Sequence, residues 1–118
     1  MTSILPIRTS DLGPGEIDHP AAPRLISGTP VLTSWDQVSA FGGKVDIGVW
    51  QATPGELRSV KDGICEYCHI LEGVAELIAE DGSSQTFRAG DSFVMQPGFR
   101  GVWRTIETVR KIYVIIAE

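Results

Sequence analysis

No apolar run in this chain approaches the roughly 18 residues that a membrane-spanning helix needs. The longest late stretch, Ile112 to Ala117, has the length of a strand. Basic charge is also scarce: ten Lys and Arg stand against fifteen Asp and Glu, a formal net charge of -5. That balance argues against nonspecific nucleic-acid binding, which needs a basic surface, and against an anionic membrane as the main partner. There are only two cysteines. The N-terminus has no apolar block followed by a small-residue cleavage site, so the expectation is reduced thiols in a cytoplasmic protein. Two catalytic signatures are missing as well. The Gly90-Asp91 turn lacks the following helix that a phosphate-cradling loop requires, and neither histidine has a companion serine in a sharp strand-to-helix turn. What remains is a chain of 118 residues with 42% hydrophobic and 21% charged side chains, enough for one globular domain with a buried core.

Residues 1–23 hold four of the seven prolines, at Pro6, Pro14, Pro20 and Pro23. Proline removes backbone donors and fixes φ, so this arm is expected to be extended or irregular and to lie over the domain, over a neighbouring subunit or free. The domain proper is expected over 24–118. Ser34 to Gln37 reads as a single helical turn. From Lys44 the pattern sharpens: Val45, Ile47 and Val49 alternate with Asp46, Gly48 and Trp50, the period of a strand. Further strands are expected over Glu56 to Val60, Ile64 to Leu71, Val74 to Glu80, Ser84 to Arg88, Ser92 to Met95, Gly101 to Ile106 and Arg110 to Ala117. Asp81-Gly82 supplies a tight hairpin turn. Eight or nine strands with turn signals every eight to twelve residues and almost no helix indicate an antiparallel sandwich or barrel.

The stretch Gly63 to Gly73 supports two readings. As a string, Cys65-Glu-Tyr-Cys68-His69 spells a haem-attachment sequence. As a strand, it splits its residues between two faces, with Glu66, Cys68 and Ile70 on one and Tyr67, His69 and Leu71 on the other. Haem attachment needs an exposed, flexible segment and an oxidising compartment. Cysteines three apart on a strand point opposite ways, so they can neither chelate one zinc nor act as a dithiol. The strand reading is preferred, with both thiols as packing.

Glu66 to Gly73, Asp81-Gly82 and Phe87 to Gly98 together resemble the two motifs of cupins. The tail, Gly98-Phe-Arg-Gly-Val-Trp103-Arg followed by Val109-Arg-Lys111-Ile-Tyr113, is similar to the cupin_3 or DUF861 subgroup. That subgroup is related to the cupins of (S)-ureidoglycine aminohydrolase and of ethanolamine utilisation. The resemblance spans residues 44 to 117 and implies an all-β, single antiparallel jelly-roll barrel with an extended N-terminal arm, assembled as a homodimer. Metal-binding cupins supply two histidines and a glutamate from the first motif and a histidine from the second. Carried over by spacing, the glutamate falls on Glu66, the two histidine positions fall near Ser59 to Lys61, and the last falls on Gly101. Glu66 is thus the only matching ligand position, and no metal or other cofactor is expected.

A carboxylate facing an apolar cavity needs a cation or hydrogen-bond donors. The candidates are Lys111, on the parity of Tyr113, or an arginine, Arg100 or Arg104. The expected function is a barrel pocket for a small polar metabolite, with Glu66, Lys111, Tyr113, Trp103, Trp50, Met95 and Arg100 as candidate pocket residues. For each aromatic, ordinary core packing is the competing reading. The alternatives are a metal-dependent aminohydrolase-like enzyme acting on a small nitrogenous compound and a noncatalytic structural subunit.

Overall fold

The computed structural model describes residues 3–118. Among them the chain forms nine strands, β1 (Glu16–Asp18), β2 (Leu25–Gly28), β3 (Leu32–Ala40), β4 (Val45–Ala52), β5 (Gly55–Val60), β6 (Ile64–Ala79), β7 (Ser84–Arg88), β8 (Ser92–Met95) and β9 (Arg100–Ala117), with one 3-10 turn at Phe41–Gly43. Every pairing is antiparallel. The result is the jelly-roll barrel that the sequence led us to expect.

Strand β9 is the spine. Its first part pairs with β5 and its second with β4 along one edge, while β6 follows nearly its whole length on the other. Two pairs of strands expected to be separate are therefore continuous. Glu72-Gly73 does not end β6. Its pairing with β9 shifts register between Ile70 and Ala75, and the strand bends and continues. Gly73 makes the bend feasible: it sits at φ +86, and a Cβ there would meet the Thr108 carbonyl. The helical turn expected at Ser34 to Gln37 is instead the middle of β3. There Ser34 and Trp35 pair with Trp50 and Val49 of β4, and ladder hydrogen bonds override a weak local preference.

The N-terminal arm is extended, contributes β1 to the edge of β3, and lies on the outside of its own barrel. The Arg8 N–H donates to Gln37 Oε1 at 2.8 Å and Gln37 Nε2 donates back to the Arg8 carbonyl at 2.8 Å. Trp35 Nε1 donates to the Gly13 carbonyl at 3.1 Å, and Arg110 Nη1 to the Thr9 carbonyl at 3.1 Å.

The alternation in β4 sends its β-branched residues outward. Val45, Ile47 and Val49 share the outer face with Ile116, Val114 and Ile112 of β9, whereas Asp46 and Trp50 look into the barrel. The interior is divided. One end is a packed core of Ile70, Ala75, Leu77, Trp103 and Val109. The other is an open cavity of about 740 Å³. Trp103, Leu57 and Met95 belong to both.

Candidate functional site

The strand parity of Ile64 to Leu71 places Glu66 and Cys68 inward, both buried, and leaves Tyr67 exposed. Glu66 is 3% exposed. Each of its carboxylate oxygens meets a separate ammonium group: Oε2 accepts from Lys111 Nζ at 2.6 Å and Oε1 lies 2.9 Å from Lys61 Nζ. Lys111 comes from β9, opposite Ile70, four residues along β6 from Glu66. Lys61 comes from the turn after β5, held by two backbone bonds, its own N–H to the Phe99 carbonyl and the Gly98 N–H to its carbonyl.

Lys111 is fully enclosed. Its ammonium sits 4.5 Å from the centroid of the Trp50 ring and 4.3 Å from that of Trp103. The two indoles meet edge to face at 5.3 Å. Negative ring faces stabilise a desolvated cation by about 2 kcal/mol, and the geometry fixes where the ammonium points. Trp103 is in turn anchored by donating its indole N–H to Thr105 Oγ1 at 3.0 Å. Cys68 completes the cluster: its thiol donates to Glu66 Oε2 at 3.2 Å, and its sulfur accepts from Lys111 Nζ at 3.5 Å.

These contacts set the charge states. Burial alone would raise the Glu66 pKa, but the charges and hydrogen bonds of Lys111 and Lys61 outweigh it and lower the value to about 2. Burial works against the Lys111 charge too, and contact with Cys68 and Glu66 more than offsets this, so the ammonium persists beyond the usual lysine range. Burial pushes the Cys68 thiol up to about 12, which removes it as a nucleophile. Cys65 lies on the other face, and both cysteines are free.

The structure brings Glu66, Lys111, Trp50, Trp103, Met95 and Tyr113 together around the cavity. Arg100 is not among them. It sits on the outer parity of β9, where its guanidinium reaches Asp62 at 2.6 Å on the surface. Arg104 likewise pairs with Glu76. The open choice of a partner for Glu66 is settled in favour of lysine. Sequence reasoning missed Lys61 as a partner, although the family's histidine positions had already drawn attention to that stretch. It also missed the cavity-lining Asp36, Asp46, Arg58 and Ser59.

The cluster is ill suited to a divalent ion. An ammonium has no lone pair to offer a metal, and an ion bound to Glu66 would face two cations within 3 Å of the same oxygens. Among the described residues no group of three or more His, Cys, Asp or Glu side chains is placed to hold a metal.

The EutQ-like cupin domain model matches residues 39–113. Among solved structures, a protein of unknown function from Pseudomonas syringae pv. tomato, assigned to the DUF861 family, is 31% identical with a TM-score of 0.75, the match covering 88% of this chain and 45% of that one. The chain thus spans less than half the length of that relative. An ethanolamine utilization protein Q from Salmonella typhimurium is 24% identical with a TM-score of 0.64, covering 76% of this chain and 71% of its own. A predicted oxalate decarboxylase from Thermotoga maritima shares only the fold, at 18% identity and a TM-score of 0.72 over 97% of this chain and 100% of its own. A search among curated proteins finds no match.

Proposed function

Because the chain belongs to the EutQ-like cupin domain family, we propose that its barrel is a cytoplasmic binding pocket for a small polar metabolite. A Lys61–Glu66–Lys111 cluster replaces a metal ion as the polar anchor. One observation carries this reading: a carboxylate with a separate ammonium on each oxygen, at 2.6 and 2.9 Å, in the wall of a cavity of about 740 Å³. Pockets of this size, mostly apolar with a few convergent polar groups, are where small ligands bind. The same cluster argues against a metal-dependent aminohydrolase, because its cations occupy the carboxylate such an enzyme would use.

The test is a thermal-shift panel of ureides, amino acids, amines and sugar acids, run on the wild type and on Ser59→Phe, which puts bulk into the cavity at a position that makes no ion pair itself. At least one compound is expected to raise Tm by several degrees in the wild type and not in the variant. Equal shifts in both proteins would place binding elsewhere. One equivalent of manganese, nickel or zinc in the purified protein, with no response to the panel, would favour the hydrolase. Neither response nor metal would leave a structural subunit.

The outer face of the barrel supports a second proposal, a homodimer. Val94, Tyr67, Val114 and Ile47 form an uncharged row across β8, β6, β9 and β4. Val94 and Ile116 near its margins are 51% and 48% exposed. The arm lies over the Trp35 end of this sheet. Light scattering coupled to size exclusion is expected to give the dimer mass for the wild type and the monomer mass for Tyr67→Glu. A wild-type monomer at high micromolar concentration would overturn the dimer.

A further inference from the structure

The charged groups around the cavity do not all satisfy one another, and the remainder has a sense. Lys111 is committed to Glu66, and Arg24 to Asp18 on the surface. On the β5 side this leaves Lys61, which gives Glu66 one of its three N–H donors, and Arg58, whose Nε alone is engaged, with the Pro23 carbonyl at 3.3 Å. On the β3–β4 side it leaves Asp36 and Asp46. Both line the cavity, Asp36 exposed and Asp46 half-buried, and neither makes an ion pair or side-chain hydrogen bond among the described residues. Asp36 pairs across the ladder with Gly48, and Asp46 is two residues along β4 from Gly48. The β3 bulge between Asp36 and Val38 falls between these two positions, and both carboxylates line the same cavity. Like charges on one cavity wall favour a cation between them.

A buried polar atom at the same wall points independently to a ligand. Tyr113 is 5% exposed and lines the cavity, and its hydroxyl is buried with no hydrogen-bond partner among the described residues. Buried hydroxyls are almost always paired. The ring lies over Gly48, where an added Cβ would come within 2.6 Å of the hydroxyl oxygen. The phenol thus reaches across β4, on the row that ends at Asp36.

We propose that the cavity takes a small zwitterion, an amino-acid-like molecule whose carboxylate lies at Lys61 and Arg58 and whose ammonium lies at Asp36 and Asp46 beside the Tyr113 hydroxyl. This rests on the pocket reading above and narrows its ligand class. A simple anion would leave the two aspartates unanswered, and a simple amine would leave the two cations so. A molecule carrying both charges answers both walls with no change in net charge.

The experiment is calorimetric titration of the wild-type chain with glycine, β-alanine and 4-aminobutyrate, against propionate and propylamine as single-charge probes. At least one of the three zwitterions is expected to bind ten-fold or more tightly than either single-charge probe. Lys61→Gln should weaken both that zwitterion and propionate. Asp36→Asn with Asp46→Asn should weaken the zwitterion by a similar factor and leave propionate unchanged. These aspartates are not in the core, so circular dichroism should show an intact barrel. Propionate or propylamine binding as tightly as every zwitterion would overturn the assignment while leaving the pocket reading in place. So would silence from all five probes, if another compound still gave a shift that Ser59→Phe abolishes. No response to any compound in either experiment would overturn both.

Discussion

Glu66→Gln is expected to lower the free energy of unfolding by about 3–5 kcal/mol, the range for removing one member of a buried ion pair. The size follows from what is left behind. The amide keeps the shape of the carboxylate but cannot neutralise two ammonium groups, one of them on a lysine 5% exposed and boxed between indoles. Lys111 must then lose its proton or draw in water. Lys61, whose side chain is 15% exposed, can turn outward. The single changes are therefore unequal: Lys61→Met should cost about 1 kcal/mol or less, close to the value of a surface pair. Urea unfolding with an unchanged m-value would measure these differences. A loss below about 1 kcal/mol for Glu66→Gln would mean that water already screens the cluster.

The cluster is hard to explain as a device for stability. Desolvating three charges is expensive, and well-packed apolar replacements for buried ion pairs are often neutral or stabilising. A domain of this size already has an apolar core centred on Ile70, Leu77, Trp103 and Val109. Charges fixed in the wall of a cavity beside that core fit a binding role, where orientation matters more than their net energy.

Much of the site could be read from parity. The alternation around Glu66 separated the cysteines, sent Glu66 inward and disposed of the haem motif, and the motif resemblance supplied the barrel. Parity would also have removed Arg100, had β9 been seen as one strand. Trp103, Thr105, Val109, Lys111 and Tyr113 are all odd-numbered and all buried, and Arg100 falls on the other face. The gap expected between Ile106 and Arg110 hid that relation. Lys61 was obscured differently. A lysine before Asp-Gly reads as a solvated turn, and its inward reach depends on long-range backbone bonds to Gly98 and Phe99. The aspartates were passed over because alternation alone does not say which face is inside. Val45, Ile47 and Val49 lie on the outer face, where Val49 is fully buried and pairs with Trp35, which the arm holds in place.

Acid should weaken this barrel through Glu66 by about 3 kcal/mol, and the sign follows from the two end states. In the unfolded chain the carboxyl titrates near 4.5, and in the folded barrel near 2. As the pH falls below about 4.5 the unfolded chain takes up the proton first and is favoured by it, while folded Glu66 stays ionised between its lysines. The stabilisation is therefore complete above the unfolded value, declines through the interval from about 4.5 to 2, and is gone once the folded group also protonates. A difference of about 2.5 pKa units at about 1.36 kcal/mol each gives the stated magnitude. Other carboxylates titrate over the same range, so the measurement is a difference between two curves. Denaturant unfolding from pH 6 to pH 2 should show the wild type converging on Glu66→Gln, with most of the gap lost across that window. Parallel curves with a constant gap would mean that Glu66 titrates alike in both states, and the two lysines would then not be holding its charge.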